Sequence, residues 1–270
     1  MLPELEIVKT KSGLFCLFKN EDLIGKSLRD VGSFAEKEAH LATMFARCRP
    51  GSLVLDIGAN LGAFAIPVAR ELSRLGGGQI NVHCFEPQRT VHLQLCTNVF
   101  INRLSNVMVH NVAVGHQNSE ISIPVIDFER SRNPGGFSID PSIRENLTQS
   151  AAKGITASNF YSAALERVDQ VALDSLSFEA PIAFIKLDVE GHELECLKGA
   201  TSTLQDNLFP PIVLEDWGSK FDWYREKSSQ LRLHLTESLG YVLESIGGRE
   251  LLAQHPRHPL NTNQFSSLQG

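Results

Sequence analysis

The sequence contains no long apolar run, no paired cysteine motif, no excess of positive charge and no internal repeat. Each absence closes a class of function. No apolar stretch approaches the roughly 18 residues of a membrane-spanning helix, so no membrane partner is expected. Lysine and arginine number 25 against 31 aspartates and glutamates, a formal net charge of −6 with the two signs mixed along the chain. Such a surface is poorly suited to capturing a phosphate backbone, and nucleic acid is not an expected partner. Met1-Leu2-Pro3-Glu4 lacks the basic region and apolar stretch of a secretion signal, so a cytoplasmic location is expected. The five cysteines (Cys16, Cys48, Cys84, Cys96 and Cys196) form no C-x-x-C pair and sit inside apolar patterns, as buried free thiols do. Asn146-Leu147-Thr148 matches the glycosylation sequon, which carries little weight without a secretion signal.

Apolar residues make up 42% of the 270 positions, enough for a sizeable core in one α/β domain. Alternation over residues 5–24, around Lys11-Ser12-Gly13, reads as a small β-hairpin, and a short helix is expected from 34 to about 47. Residues 52–57 form a short apolar run ending in glycines, the pattern of a buried parallel strand. A helix over 63–75 follows, with Pro67 tolerable in its first turn, and Gly76-Gly77-Gly78 stops it. A strand over 80–85, a helix through Val91, Leu95 and Val99, and a third strand over 107–114 continue the rhythm.

Strand, helix, strand, helix, strand implies a mostly parallel sheet with helices on both faces. The rhythm pauses over 115–167, where a hairpin partner at 121–126 leads into a polar stretch expected to act as a loop or lid. It resumes with a strand over 182–187, a helix over 192–204, a strand over 212–215 and a helix through Leu231, Leu235 and Leu239. Two strands, near 241–246 and 250–253, end it. The chain therefore reads as one domain over 1–270, with an N-terminal hairpin extension (1–33) and an insertion (115–167).

The densest chemical signal is Asp56-Ile57-Gly58-Ala59-Asn60-Leu61-Gly62, a strand end running into a helix. Glycines there let the backbone approach a ligand, and free amides at the helix start face it. Glu86, ending the next strand, is placed to accept both hydroxyls of a ribose. A nicotinamide dinucleotide and S-adenosylmethionine both suit this geometry. The dinucleotide fingerprint wants glycine where Asn60 stands, and the Asp56 charge suits an ammonium or sulfonium better than a phosphate. The expected cofactor is S-adenosyl-L-methionine, with Asp56, Gly58, Ala59, Asn60, Gly62 and Glu86 around it.

Leu55-Asp56-Ile57-Gly58-Ala59-Asn60-Leu61-Gly62 and Ile185-Lys186-Leu187-Asp188-Val189-Glu190-Gly191-His192-Glu193, with Leu197-Lys198-Gly199-Ala200 behind, resemble the FkbM family of methyltransferases. Leu173-Asp174-Ser175-Leu176 and Ile212-Val213-Leu214-Glu215 fit the same pattern, and the likeness runs from about Phe34 to Tyr241. It implies a class I methyltransferase fold, Rossmann-like with a seven-stranded sheet, and no metal demanded by the donor. It also implies an acceptor that is often a hydroxyl on a sugar or polyketide, with amide nitrogen as the alternative. By the same carry-over Asn111, Val112 and Ala113 flank adenine, and Glu38 reaches the methionine amino group.

Asp188, Glu190, His192 and Glu193 follow the 182–187 strand, beyond the carboxyl end of the sheet where ligands bind. A hydroxyl acceptor must lose a proton during attack, and His192 is the base expected, because a helix N-terminus disfavours imidazolium. Asp188 is expected to position donor or acceptor, and Glu190 is the next candidate base. Glu193 suits a helix cap. Glu215 is read as an acceptor contact, and Asn133, Gly135 and Gly136 as a turn closing over the acceptor. Residue 196 is cysteine, so the H-E-x-x-H metal arrangement is absent and no metal is expected; a divalent ion chelating a diol acceptor is the alternative. A nicotinamide oxidoreductase and a non-catalytic cofactor-binding subunit are the rival functions. The expected partner is a small-molecule or glycosidic acceptor, and oligomeric state is not legible.

Overall fold

The computed structural model describes residues 2–74, 81–154 and 159–258. The expected glycine stop at 76–78, with Leu75 and Ile80 beside it, lies outside them. β1 (Leu5–Lys9) and β2 (Leu14–Phe18) form the antiparallel hairpin. Thr10 closes its turn, its hydroxyl accepting from the Ser12 and Gly13 amides and donating to the Gly13 carbonyl. The hairpin stops short of residue 24, where α1 (Ile24–Asp30) begins, and α2 (Glu36–Cys48) follows.

The core then runs β3 (Leu53–Ile57), α3 (Ala65–Arg74), β4 (Asn81–Phe85), α4 (Arg89–Ile101) and β5 (Val107–His110). β6 (Ala113–Val114) leads into the insertion, which carries β7 (Ser119–Ile126), α5 (Pro141–Ala152) and the start of β8 (Tyr161–Val171). Last come β9 (Ile182–Leu187), α6 (Glu193–Lys198), α7 (Thr201–Asp206), β10 (Ile212–Glu215), α8 (Arg225–Leu233), β11 (Val242–Gly247) and β12 (Glu250–Gln254). Seven strands make the central sheet in the order β11-β12-β10-β9-β3-β4-β5. β10, β9, β3, β4 and β5 are parallel, and β12 runs antiparallel to both its neighbours.

Helices cover both faces, so successive side chains of a central strand enter different cores. Leu55, Ile57, Ile185 and Leu187 pack with Leu197, Leu204, Leu231 and Leu235 on one face. Val54, Phe184 and Val213 pack with Ala42, Phe45, Val68 and Leu72 on the other. The hairpin is tied to α4 by amide side chains one turn apart. Gln94 donates to the Cys16 carbonyl, while Asn98 and Asn102 accept from the Cys16 and Leu14 amides. Asn98 also donates to the Leu61 carbonyl, linking the hairpin to the glycine turn.

Three expectations need correction. The third strand is split: β5 stays in the central sheet, while β6 joins a separate sheet of order β6-β8-β7. The insertion is no open loop, because β7 pairs antiparallel with β8, Ile121 opposite Val168 and Ile126 opposite Tyr161. Its Ile123, Ile126, Phe128, Phe137 and Val168 share a core with Phe18 and Val91. Asp140 caps the intervening α5, accepting from the Ser142 amide, with Pro141 in the first turn. Finally, the helix expected over 192–204 breaks into α6 and α7 at Gly199. A Cβ there would overlap the Gly115 carbonyl oxygen, so the insertion's first residue packs directly on this break. Gly199→Ala is expected to lower the unfolding free energy by about 1–3 kcal/mol through overpacking. Urea denaturation measures this, and an unshifted midpoint would show that the two segments part freely.

Candidate active site

A cavity of about 450 Å³ opens over the carboxyl ends of β3, β4, β6, β9 and β10, a size that suits a small-molecule ligand. Residues 34–38, the insertion at Asn133, Gly135, Phe137 and Ile139, and the turn at Arg249 and Glu250 complete its wall. Among the described residues, the non-glycine residues with left-handed backbone are Ala35, Asn60, Arg103, Glu190, Leu208 and Phe209, and the first, second and fourth line this cavity. Each such residue stores on the order of 1–3 kcal/mol, and strain of this kind gathers at ligand sites.

The glycine turn is built by close contacts between loops. Gly58 has φ 82°, and a Cβ there would overlap the Asp188 carbonyl oxygen. The β3 and β9 loops therefore touch backbone to backbone. Gly135 of the insertion lies against the Asn60 side chain with no room for a Cβ. Glu86 is 4% exposed and lines the cavity. Its Oε2 accepts from the Asn60 amide at 3.0 Å and its Oε1 from the Gln88 amide at 2.9 Å. Burial outweighs those two hydrogen bonds and pushes its pKa up to about 7.

Behind the turn stands a buried lysine. Lys186 Nζ lies 2.9 Å from Asp188 Oδ2, 3.9 Å from Asp56 Oδ1 and 5.9 Å from the Phe64 ring centre. Asp56 and Lys186 face each other across β3 and β9. Burial pulls the ammonium's pKa down, but the Asp188 and Asp56 carboxylates outweigh it and hold it above its ordinary value. Asp56 is fully buried, and neither of its oxygens has a hydrogen-bond donor. Burial pushes it up to about 6 despite the nearby lysine.

Three carboxylates converge beyond β9 and β10. One oxygen each from Asp188, Glu190 and Glu215 lies within 4.8 Å of the others. Trp217 Nε1 donates to Glu215 Oε2 at 2.7 Å, and the Arg249 guanidinium pairs with Oε1. Burial, then the charges of Asp188 and Glu215, push the Glu190 pKa well above the carboxylate range. The trio is the group with the donor set for a cation among the described residues, although Lys186 and Arg249 already supply positive charge to two members.

An annex of about 90 Å³ adjoins the cavity and shares Leu23, Asn133, Glu190, Glu215 and Arg249 with it. Trp217, Phe221 and Tyr161 give it aromatic walls, and Asn159, Thr148 and Lys220 give it polar ones. The Oδ1 atoms of Asn133 and Asn159 are buried without a donor.

The structure gathers Glu38, Gly58, Ala59, Asn60, Glu86, Val112, Ala113, Asn133, Gly135, Asp188, Glu190 and Glu215 around the cavity. Five expected residues do not line it. Asp56 sits behind it against Lys186. Gly62 packs on Leu95 instead, where a Cβ would come 2.7 Å from Cδ1. Asn111 braces β4, donating to the Glu86 and Pro87 carbonyls. Gly136 lines the annex alone. His192 is also outside: the left-handed Glu190 and Gly191 turn the chain before α6 begins. The charged groups acting on His192 are Glu195, Asp140, Lys227 and His116, and burial lowers its pKa. Glu193 caps this turn, accepting from the Val189 and Gly191 amides. Sequence reasoning passed over Lys186, Arg249, Glu250 and the aromatic annex. Lys186 had a signal, a lone lysine inside an otherwise apolar buried strand.

A Rossmann-like sheet with a reversed last strand, a glycine turn on its first core strand and an acid closing the next defines a class I methyltransferase architecture. Residues 56–243 match the Methyltransferase FkbM domain, and the chain belongs to that methyltransferase family. No curated protein matches it in sequence. Similar solved structures include a methyltransferase FkbM from Methylobacillus flagellatus KT, at 19% identity over 75% of this chain and 43% of that one, with a TM-score of 0.46. This chain thus spans less than half the length of that protein. A precorrin-6y C5,15-methyltransferase from Geobacter metallireducens GS-15 matches at 13% identity, covering 82% and 88%, with a TM-score of 0.43. M. jannaschii TYW2, solved with AdoMet, matches at 12%, covering 94% and 84%, with a TM-score of 0.40.

The raised Glu86 pKa has a measurable consequence. The folded state binds this proton up to about pH 7, whereas an unfolded glutamate releases it near 4.5. The associated stability is present below 4.5 and is lost as pH rises through 7. Between pH 4.5 and 8, Glu86→Gln is expected to gain on the wild type by about 3 kcal/mol in unfolding free energy. Urea denaturation of both proteins at several pH values, without ligand, checks this, and parallel pH profiles would refute it.

Proposed function

We propose that this chain is an S-adenosylmethionine-dependent O-methyltransferase whose acceptor is a hydroxyl of a sugar-like, polyhydroxylated small molecule or glycosidic group. The observation that carries the reading is the junction of the cavity with the annex. A carboxylate cluster lies there beside two buried amide oxygens that lack donors. Buried acceptors of this kind cost about 1–3 kcal/mol each until a donor arrives, and hydroxyl groups on a ring supply such donors. Trp217 and Phe221 provide apolar surface for the ring's carbon face.

The donor's fit rests on Glu86. Each of its oxygens spends one lone pair on a backbone amide and retains another for a ribose hydroxyl. Val112 and Ala113 supply apolar contact for adenine, and Glu38 a carboxylate for the amino group. Bound S-adenosylmethionine supplies an electrophilic methyl group that needs no further activation. The residues then have to align a hydroxyl and remove its proton. Asp188, with Lys186 bonded to Oδ2, is the proton acceptor in this reading, replacing His192. Protonated Glu190 donates a hydrogen bond to the acceptor. The insertion is seated on Asn60 through Gly135, beside the turn.

Calorimetry with S-adenosylmethionine and S-adenosylhomocysteine tests the donor, and labelled methyl transfer to a panel of glycosides tests the acceptor. Binding of both donor forms is expected, weakened by Glu86→Ala by about 1–3 kcal/mol. Asp188→Asn is expected to leave donor affinity near wild type while lowering turnover by about 10²–10⁴-fold. Absence of donor binding rejects the cofactor. Wild-type turnover in Asp188→Asn rejects the base.

A further inference from the structure

A second concavity lies on the far side of residues 34–36, between α2 and α3, with a volume of about 540 Å³. Its rim carries Lys11, Arg47, Arg70 and Arg74, four permanent cations, with His40 beside them and Glu36 and Glu71 as its acids. Lys11 and Glu36 pair at 2.6 Å. Among the described residues, the arginines with ion pairs are Arg29, Arg167, Arg225, Arg232 and Arg249. Arg47, Arg70 and Arg74 have none. All three are exposed, in a chain whose formal net charge is −6.

The arrangement follows from helix geometry. Pro67, Arg70, Glu71 and Arg74 share one face of α3 at spacings of three and four, and Ala39, His40, Thr43, Met44 and Arg47 do so on α2. The two faces line the concavity together, with Phe34, Ala39, Met44 and Pro67 as its apolar residues beside the basic ones. Guanidinium groups bind phosphate through two parallel N–H donors, with a planar geometry that an ammonium lacks. Three such forks beside these apolar residues match a ligand with phosphate groups at one end and a flat or apolar body at the other. We propose that this groove binds a phosphorylated small molecule of the nucleoside diphosphate kind. The site does not depend on the methyl-transfer reading, since none of its cations lines the first cavity.

The test is titration calorimetry of the full chain with ADP and with pyrophosphate at low ionic strength. Both probes are expected to bind, ADP more tightly because it also covers the apolar residues, and added salt should weaken both. Arg47→Glu combined with Arg70→Glu is expected to weaken each by at least about tenfold, as loss of charge-assisted hydrogen bonds does. These positions are exposed, and an unchanged melting temperature certifies the fold of the variant. Glu86→Ala separates the two sites: ADP affinity should stay within about twofold of wild type, since the groove lies outside the first cavity. The proposal fails if neither probe binds, if the arginine replacements leave affinity unchanged, or if Glu86→Ala abolishes ADP binding. A response to a polyaspartate peptide without one to ADP or pyrophosphate would also overturn it, marking the groove as a protein contact.

Discussion

A buried ammonium organises the centre of this molecule. Taking Lys186 out of water costs several kcal/mol unless counter-charges are held in place, and its two partners come from different segments. Asp56 faces it from the neighbouring strand, and Asp188 follows two residues later on its own chain. Because Asp56 and Lys186 are directly opposed, the pair also specifies strand register. A slip of one residue would carry the lysine to the leucine-rich face of the sheet, away from Asp56. The residual charge of the triad is negative, and it stands where the parallel strands end.

The same strand ends concentrate backbone strain. Asn60 and Glu190 adopt left-handed conformations on adjacent loops, and Gly58 brings those loops into contact. Strand pairing on both sides of β3 over-determines this geometry, so the unfavourable conformers persist. One result is that the turn expected to hold a cofactor and the loop bearing the carboxylates are in direct backbone contact. Another is that the chain turns before α6, which leaves His192 at the helix N-cap outside the cavity and Asp188 and Glu190 lining it.

Legibility in the sequence followed burial. β3 and β9 are covered on both faces and read as short apolar runs, each broken by one charged residue, Asp56 and Lys186, so their place and the cavity above them could be read directly. β8 is exposed at most of its positions, and the tilt of the pattern toward polar residues hid both the strand and its distant pairing with β7. The break at Gly199 was hidden because its cause, the Gly115 carbonyl, is far away in sequence. For His192 the missing information was dihedral: nearness along the chain says nothing about two left-handed residues in between. The annex was beyond reach because its walls come from the insertion and from the segment after β10, which no local pattern connects.

The place of β9 in the sheet has a consequence for the ribosome. β3 acquires β4 on one side soon after it is made, but its other neighbour is encoded beyond the whole insertion. At the pace of translation, on the order of ten residues per second, that edge stays bare for about ten seconds. A naked apolar strand is a template for the wrong partner, including the same segment of a neighbouring nascent chain. Within Leu53–Ile57 the one interruption is Asp56, a charge that discourages such pairing while the strand waits. The residue that ends its life as the hidden counter-ion of a lysine begins it as a sentinel against aggregation.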